Sequence, residues 1–365
     1  MASRKKTGRR DVPGPRGVCP TVMLRELRLR DFRCFEQKEF RPSPGLNFLI
    51  GPNAQGKTSL LEAACVLLRL QSPRTNSLGD AVRFDQPGFG LDGYWNGRHL
   101  HVKYAGALKA FALDSKPQSR SADYLAVARV AWISNDDLQL VRGGGSQRRR
   151  YLDFLGAQVV PEYLRNLRTY ERALRSRNAL LKNNRPRREI ASFDGPLIES
   201  GRKLLAARAE LCETLRPLVT AAARQISGRN ETLEIAYRPG SPPDFAAALE
   251  ETREEEMRLR STVTGPHRDD VEITLESRRA ASFASEGQQR TIALALKLAQ
   301  ARALEAAAGT PPLYLIDDVF GELDGLRRNN LLAALPPSAQ KLITTTSLDW
   351  LETPQDAVRH ELGKR

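Results

Sequence analysis

Three short segments of the chain carry residue types that suit phosphate chemistry. The first is G-P-N-A-Q-G-K-T, residues Gly51, Pro52, Asn53, Ala54, Gln55, Gly56, Lys57 and Thr58. It fits G-x-x-x-x-G-K-[ST] at every fixed position and lies between an apolar run, GLNFLI, and an apolar stretch, TSLLEAACVLLRL. A strand before and a helix after are the setting this loop requires. Its glycines let the backbone fold closely around phosphates, and the amides at the helix start present positive dipole ends to them. Lys57 is then placed for the β- and γ-phosphates of ATP, and Thr58 for Mg²⁺. The plain alternative, a glycine-rich turn without a ligand, does not explain the strand–loop–helix context.

The second segment is L-Y-L-I-D-D, Leu313 to Asp318. An apolar strand delivers two adjacent acids at its carboxyl end. Unpaired charge there is poorly solvated and costly. Asp317 suits Mg²⁺, usually through water. Asp318 suits the orientation or deprotonation of an attacking water.

The third segment, A-S-E-G-Q-Q-R-T, opens a helix rich in alanine and leucine. Ser285 reads as its N-cap, and Glu286 falls in the first turn, where the helix dipole favours an acid. A capped helix without a ligand is one reading. The place of Ser285, Gly287 and Gln288, upstream of the acidic strand, gives another. S-E-G-Q resembles the signature of ABC-class ATPases. The helix start then suits the γ-phosphate of a nucleotide held by another subunit. Gln289 and Arg290 either contact that nucleotide or only brace the turn.

The elements that must position these residues follow from periodicity. LRELRLRDF alternates as a half-buried strand does. Residues 79–135 carry short alternating runs broken by Gly and Pro, with a hairpin signal at Asn96–Gly97, and read as an antiparallel sheet flanking a main sheet. Leu164, Leu167, Leu174 and Leu181 fit helical spacing, KNNRPRRE breaks it, and a second long helix runs from about Pro196 to Ile226. Two helices joined by a polar loop predict an antiparallel helical arm. ETLEIAY reads as a strand, residues 244–260 as one helix, and LYLIDDVF and KLITTTSLDW as strands buried on both faces. The fold class expected is α/β: an ABC-type P-loop ATPase head over 23–150 and 261–365, a flanking antiparallel sheet, and a mainly helical arm inserted at 151–260.

The chain has 365 residues, is 41% hydrophobic and 27% charged, and carries a net charge of +14. The length allows two or three domains. The positive excess favours a polyanionic partner, nucleic acid before an acidic membrane surface. Cys19, Cys34, Cys65 and Cys212 form no CxxC pair, which predicts reduced thiols and a cytoplasmic location. No apolar run approaches the length of a transmembrane helix. Residues 1–22 hold six Lys/Arg and one acid with no apolar core, so they are no secretory signal. They read as a disordered basic leader, or as the result of a start assigned upstream of Met23.

Six ordered segments make the resemblance specific: LRDFRCF, GPNAQGKTSLLEA, LVRGGGSQRRRYLD, STVTGPHRDDV, ASEGQQRTIALALKLA and LIDDVFGELD. From Met23 to about Leu351 the chain resembles the RecF family of bacterial DNA replication and repair ATPases, SMC/Rad50-like members of the ABC class. The resemblance implies a weak, DNA-dependent ATPase. Its ATP-driven homodimer would clamp single- and double-stranded DNA at gap junctions, and slow hydrolysis would release it. It further implies recombinase loading with RecR and RecO, and a part in the SOS response. Asp324 matches the D-loop linking the two sites of an ABC dimer, and Arg33 a basic position near the nucleotide. Asn135 and Asp136 stand where the family usually carries Pro-Glu-Asp, so a Q-loop acid there is kept but shortened. Thr345 or Thr346 falls where many ABC proteins have a switch histidine. His267 and Arg268 fit either catalysis or a loop locked by salt bridges. The same P-loop alone would suit a transporter's ATP-binding subunit or a small-molecule kinase. The long insertion before the signature opposes the first, and the S-x-G-Q element the second.

Overall fold

Alternation along five short strands decides the centre of the molecule. In the computed structural model, which describes residues 23–75, 77–106, 108–349, 351 and 357–362, these strands form one parallel sheet. Its order is Val358–Glu361, Leu46–Ile50, Lys341–Thr345, Leu313–Asp317, Val130–Ser134. Successive side chains leave a strand on opposite faces. Phe48, Ile133, Ile316 and Ile343 therefore enter one core, while Leu49, Trp132, Leu315 and Leu342 enter another. Burial on both faces explains why four of these strands, all but Val358–Glu361, read as near-continuous apolar runs.

The helix after the P-loop, Lys57–Arg69, covers the second face, with every residue but Thr58 buried. It fills the space between the parallel sheet and a six-stranded antiparallel sheet. That sheet runs in the order Phe35–Phe40, Leu24–Phe32, Gly88–Trp95, Arg98–Ala105, Leu108–Leu113, Lys116–Pro117. The Asn96–Gly97 turn has φ of 50° and 77°, the left-handed pair that suits a two-residue hairpin. The buried Gln340 amide joins the two sheets by bonding both the N–H and the C=O of Leu24.

The other face carries the helix Glu286–Ala308 and a 34-residue helix, Asp194–Ser227. The latter runs antiparallel to Tyr163–Lys182. Three contacts set their register. Arg208 meets the Tyr163 hydroxyl (3.2 Å), Gly201 lies against the Tyr170 ring, and Arg177 meets Asp194 (2.9 Å). Each step advances seven residues on both helices, the repeat of coiled-coil packing. A Cβ on Gly201 would stand 2.6 Å from the Phe245 ring and 3.3 Å from Tyr170, so the close approach requires glycine there.

The structure departs from the sequence reading in four places. Residues 244–260 form two helices, Phe245–Glu251 and Arg253–Leu259, with the break at Thr252. The Thr252 hydroxyl bonds back to the Ala248 carbonyl (2.8 Å), a local competition that bends helices. The polar loop between the arm helices contains a short helix, Arg187–Ala191. The strand Val358–Glu361 was not expected, because VRHE has no apolar run. The domain limit expected after residue 150 falls inside the helix Gly145–Val159, and one core runs from the parallel sheet into Leu197, Leu204 and Leu211 of the arm. The leader 1–22, with Cys19, lies outside the described residues, as does the rest of the carboxyl end. Cys34, Cys65 and Cys212 are free thiols. Among the described residues, no helix is long and apolar enough to cross a membrane.

Candidate nucleotide site

Sheet register assembles the site. Asp317 stands opposite Thr344 on one side and Ser134 on the other, and Thr345 stands opposite Ile50, where the P-loop begins. The carboxyl ends of neighbouring parallel strands are where open α/β sheets bind ligands. Here they bring the P-loop, both acids and a threonine to one edge.

The P-loop needs its glycines. Gly51, Ala54 and Gly56 have φ of 155°, 66° and 88°. At Gly56 a Cβ would also lie 2.6 Å from the Phe35 ring and 2.8 Å from the Cys34 sulfur. At Gly51 it would lie 2.4 Å from Gln55 Oε1, a buried oxygen with no hydrogen-bond partner among the described residues. Lys57 is buried, and its ammonium donates to the carbonyls of Gly51 and Pro52 (2.8 Å to the latter). Pro52, Asn53 and Ala54 are exposed on the loop's outer side.

Asp317 Oδ1 accepts hydrogen bonds from Thr58 and Thr344, each 2.8 Å long. Thr344 in turn accepts from the Asp318 amide (2.9 Å), and Asn135 donates to the Asp318 carbonyl (2.9 Å). Asp318 has φ of 54°, a conformation aspartate tolerates better than most residues. Burial pushes both carboxyls above their ordinary range, with Lys57 opposing this at Asp318 and the two threonines and Arg74 opposing it at Asp317. Burial lowers the Lys57 ammonium, against the pull of Asp318 and Asp317. The edge thus holds opposite charges in a poorly solvated place, next to amides suited to phosphate.

Arg33 is engaged elsewhere. Its guanidinium makes a two-pronged pair with the fully buried Glu62 (2.9 and 2.7 Å) and bonds the Asp80 carbonyl. Glu62 also accepts from Ser72 (2.6 Å) and Arg74 (3.2 Å). One carboxylate on the P-loop helix therefore fixes two arginines, and Arg74 is close enough to Asp317 to lower its proton affinity.

Ser285 caps its helix in a reciprocal box. Its hydroxyl accepts from the Gln288 amide (3.3 Å), and Gln288 Oε1 accepts from the Ser285 amide (2.8 Å). Gln288 also donates to Glu231 (2.8 Å), at the root of the arm. Gln289 is buried and braces the turn: it accepts from Arg142 and donates to the carbonyls of Ala281 and Ala284. Arg290 bridges Glu286 and Glu322, both at 3.0 Å. Asp324 caps the helix Gly325–Ala334, and Arg327 ties it to Thr291 beside Gly287 (2.9 Å). Among the described residues, no hydrogen bond or ion pair links 285–288 to 51–58. The Ser285 end of the helix is exposed.

Several of the remaining sequence candidates have settled partners. Asp136 lines a cavity of about 320 Å³ with Ser72, Thr75 and Gln139. Its neighbour Asp137 accepts from the Ser134 amide (2.7 Å) and pairs with Lys297 (3.5 Å). His267 Nδ1 meets the Tyr170 hydroxyl (2.7 Å) and Nε2 the Thr262 carbonyl (2.9 Å), so the neutral ring accepts from one and donates to the other. Burial pushes its pKa down to about 4. Arg268 reaches the same carbonyl, Asp269 holds Arg208, Tyr237 and the Gly240 amide, and Asp270 pairs with Arg148. GPHRDD is thus a lock between the arm, the Gly145–Val159 helix and the strand Asp270–Leu275. Of the three threonines after Ile343, Thr344 engages the acids, Thr345 bonds the Ser347 carbonyl (2.8 Å), and Thr346 is exposed. Thr344, Arg74 and Glu62 were missed, and Asn135 was singled out without its bond to the Asp318 carbonyl. Only strand pairing, invisible in sequence, selects one threonine from a run of three.

A P-loop, an acid pair two strands along, and a signature helix packed on the same sheet define an ABC-type ATPase head. An AAA domain family model matches residues 26–93, and an SMC head bound to ScpA shares the fold (TM-score 0.52, 14% identity, 90% of each chain). The chain belongs to the RecF family. The DNA replication and repair protein RecF of Anaeromyxobacter sp. is 41% identical over 91% of this chain and 94% of its own. That of Bacillus thuringiensis is 33% identical over 91% and 94%. The solved structure of the recombination mediator protein RecF-ATP in the RecFOR pathway overlays with a TM-score of 0.83 at 28% identity, covering 93% of this chain and 95% of that one.

The residues fit Mg²⁺. Thr58 and Asp317 offer two hard oxygens in contact, and among the described residues no cluster of three His, Cys, Asp or Glu could hold a metal by itself. Few protein ligands, with water and phosphate oxygens making up the shell, is the usual Mg²⁺ arrangement.

Proposed function

We propose that the chain is a cytoplasmic, ATP-dependent DNA-binding protein of replication and recombinational repair. Two copies pair around two ATP molecules, each held between Gly51–Thr58 of one copy and Ser285–Gln288 of the other. The observation that carries this reading is the division of the site. The P-loop and acids sit on one sheet edge, while the capped signature end is exposed and has no bond to its own P-loop.

Lys57, now bonded to loop carbonyls, turns to the β- and γ-phosphates when they arrive. Thr58 and Asp317 would hold Mg²⁺, which when bound would screen phosphate charge. Asp318, whose proton affinity burial raises, accepts a proton from the attacking water. Hydrolysis removes the γ-phosphate that joins the copies and releases the dimer. Closure clamps DNA at gap junctions, with RecR and RecO as partners in loading recombinase and in SOS induction. ATP turnover is slow and rises with DNA.

The test is DNA binding with and without ATP and Mg²⁺, on gapped, blunt and single-stranded substrates at two salt concentrations. Tighter, ATP-dependent binding to gapped DNA supports the reading. Binding that ignores both ATP and DNA form contradicts it.

A further inference from the structure

A groove of about 890 Å³ runs between the helix Tyr163–Lys182 and the segment 119–129 at the end of the antiparallel sheet. Six arginines line it, Arg120, Arg129, Arg165, Arg168, Arg172 and Arg175, against two carboxylates, Glu162 and Glu171. Four of the arginines repeat along one helix face, a stripe about 15 Å long. Arg165 pairs with Glu162 (2.8 Å), and Arg175 lies 3.9 Å from Glu171. The other four have no acidic partner among the described residues. Arg168 reaches the Ser121 hydroxyl across the groove (3.3 Å), Arg172 the Arg168 carbonyl, and Arg129 the carbonyls of residues 125, 126 and 128. Behind them, burial and the charge of Arg168 push Lys109 down to about 8.

Like charges gathered in one concavity repel one another, and a groove with low-dielectric walls concentrates their field. The planar guanidinium fork suits phosphate oxygens. None of the six arginines belongs to the nucleotide site.

The geometry points to this groove as the seat of a DNA strand's phosphate backbone, with Arg168 and Arg172 on one wall and Arg120 on the other. The inference rests on the DNA-binding reading above and names its surface. A groove that contacts phosphates alone gives affinity without sequence preference.

The experiment compares the full chain with Arg168→Gln/Arg172→Gln, and with the control Arg188→Gln/Arg258→Gln. The control makes the same charge change at exposed arginines outside the groove. Binding to a fluorescent duplex with a single-stranded gap is measured over a salt series, with ATP present. Each phosphate contact contributes about 0.9 to the slope of log affinity on log salt. The groove variant is expected to flatten the slope by about 2, and the control to leave it unchanged. Equal slopes for the two variants overturn the groove while leaving DNA binding intact. Absence of binding by the unaltered chain overturns the DNA reading itself, and the groove with it.

Discussion

Thr344 and Asp317, on neighbouring parallel strands, are joined by a 2.8 Å hydrogen bond, and the same threonine hydroxyl receives the amide of Asp318. One buried hydroxyl therefore fixes the orientation of the Asp317 carboxylate and the backbone of Asp318.

Replacing Thr344 by valine keeps the shape and removes both bonds. A hydrogen bond to a charged group contributes about 1.5–3 kcal/mol, so the hydrolysis rate should fall about tenfold to a hundredfold. ATP affinity of the monomer should change only a few-fold, because the P-loop is untouched. Single-turnover kinetics beside a binding titration separate the two. An unchanged rate would mean the acids are held well enough by Thr58 and the strand.

Arg177 is fully buried and bonds Asp194, the Thr262 hydroxyl and the fully buried Glu256. Removing one partner of a buried pair leaves an unsolvated charge, at a cost of about 3–5 kcal/mol. Arg177→Met should lower stability by that amount in chemical denaturation, and Arg177→Met/Glu256→Gln should recover part of it. No recovery would place the loss in packing rather than charge.

His267 links pH to stability. In the unfolded chain it takes up a proton near its ordinary value of 6.5, but in the fold only near 4. Between those values the unfolded state binds more protons, so this residue's contribution falls as pH drops from about 6.5 to 4, by about 3 kcal/mol at most. Stability measured across that window should show a shallower pH dependence in His267→Gln than in the unaltered chain. Parallel curves would show that the ring is protonated in the fold.

Much of this architecture is legible in the sequence, for reasons that differ by element. The P-loop, the Asp317 strand and the Ser285 helix announce themselves because each chemistry needs fixed residue types at fixed spacing within one segment. Ser285 to Gly309 was bounded correctly by its cap and its terminal glycine, whose φ is 68°. What stayed hidden depends on partners distant in sequence. Nothing in TTT distinguishes Thr344 until the strand pairs with Leu313–Asp317. Nothing in the sequence pairs Arg33 with Glu62 or Arg148 with Asp270 until the fold brings them together. Val358–Glu361 joins the sheet only because the P-loop strand offers it an edge.

The central claim is that Ser285–Gln288 completes a nucleotide site on a second copy of the chain. Sedimentation of the purified protein with saturating ATP and Mg²⁺ tests it directly, comparing the unaltered chain with Ser285→Arg. The unaltered chain should sediment as a dimer with ATP and as a monomer without it. Ser285→Arg should bind ATP as a monomer and stay monomeric. A Ser285→Arg chain that dimerises with ATP as the unaltered one does would contradict the shared site.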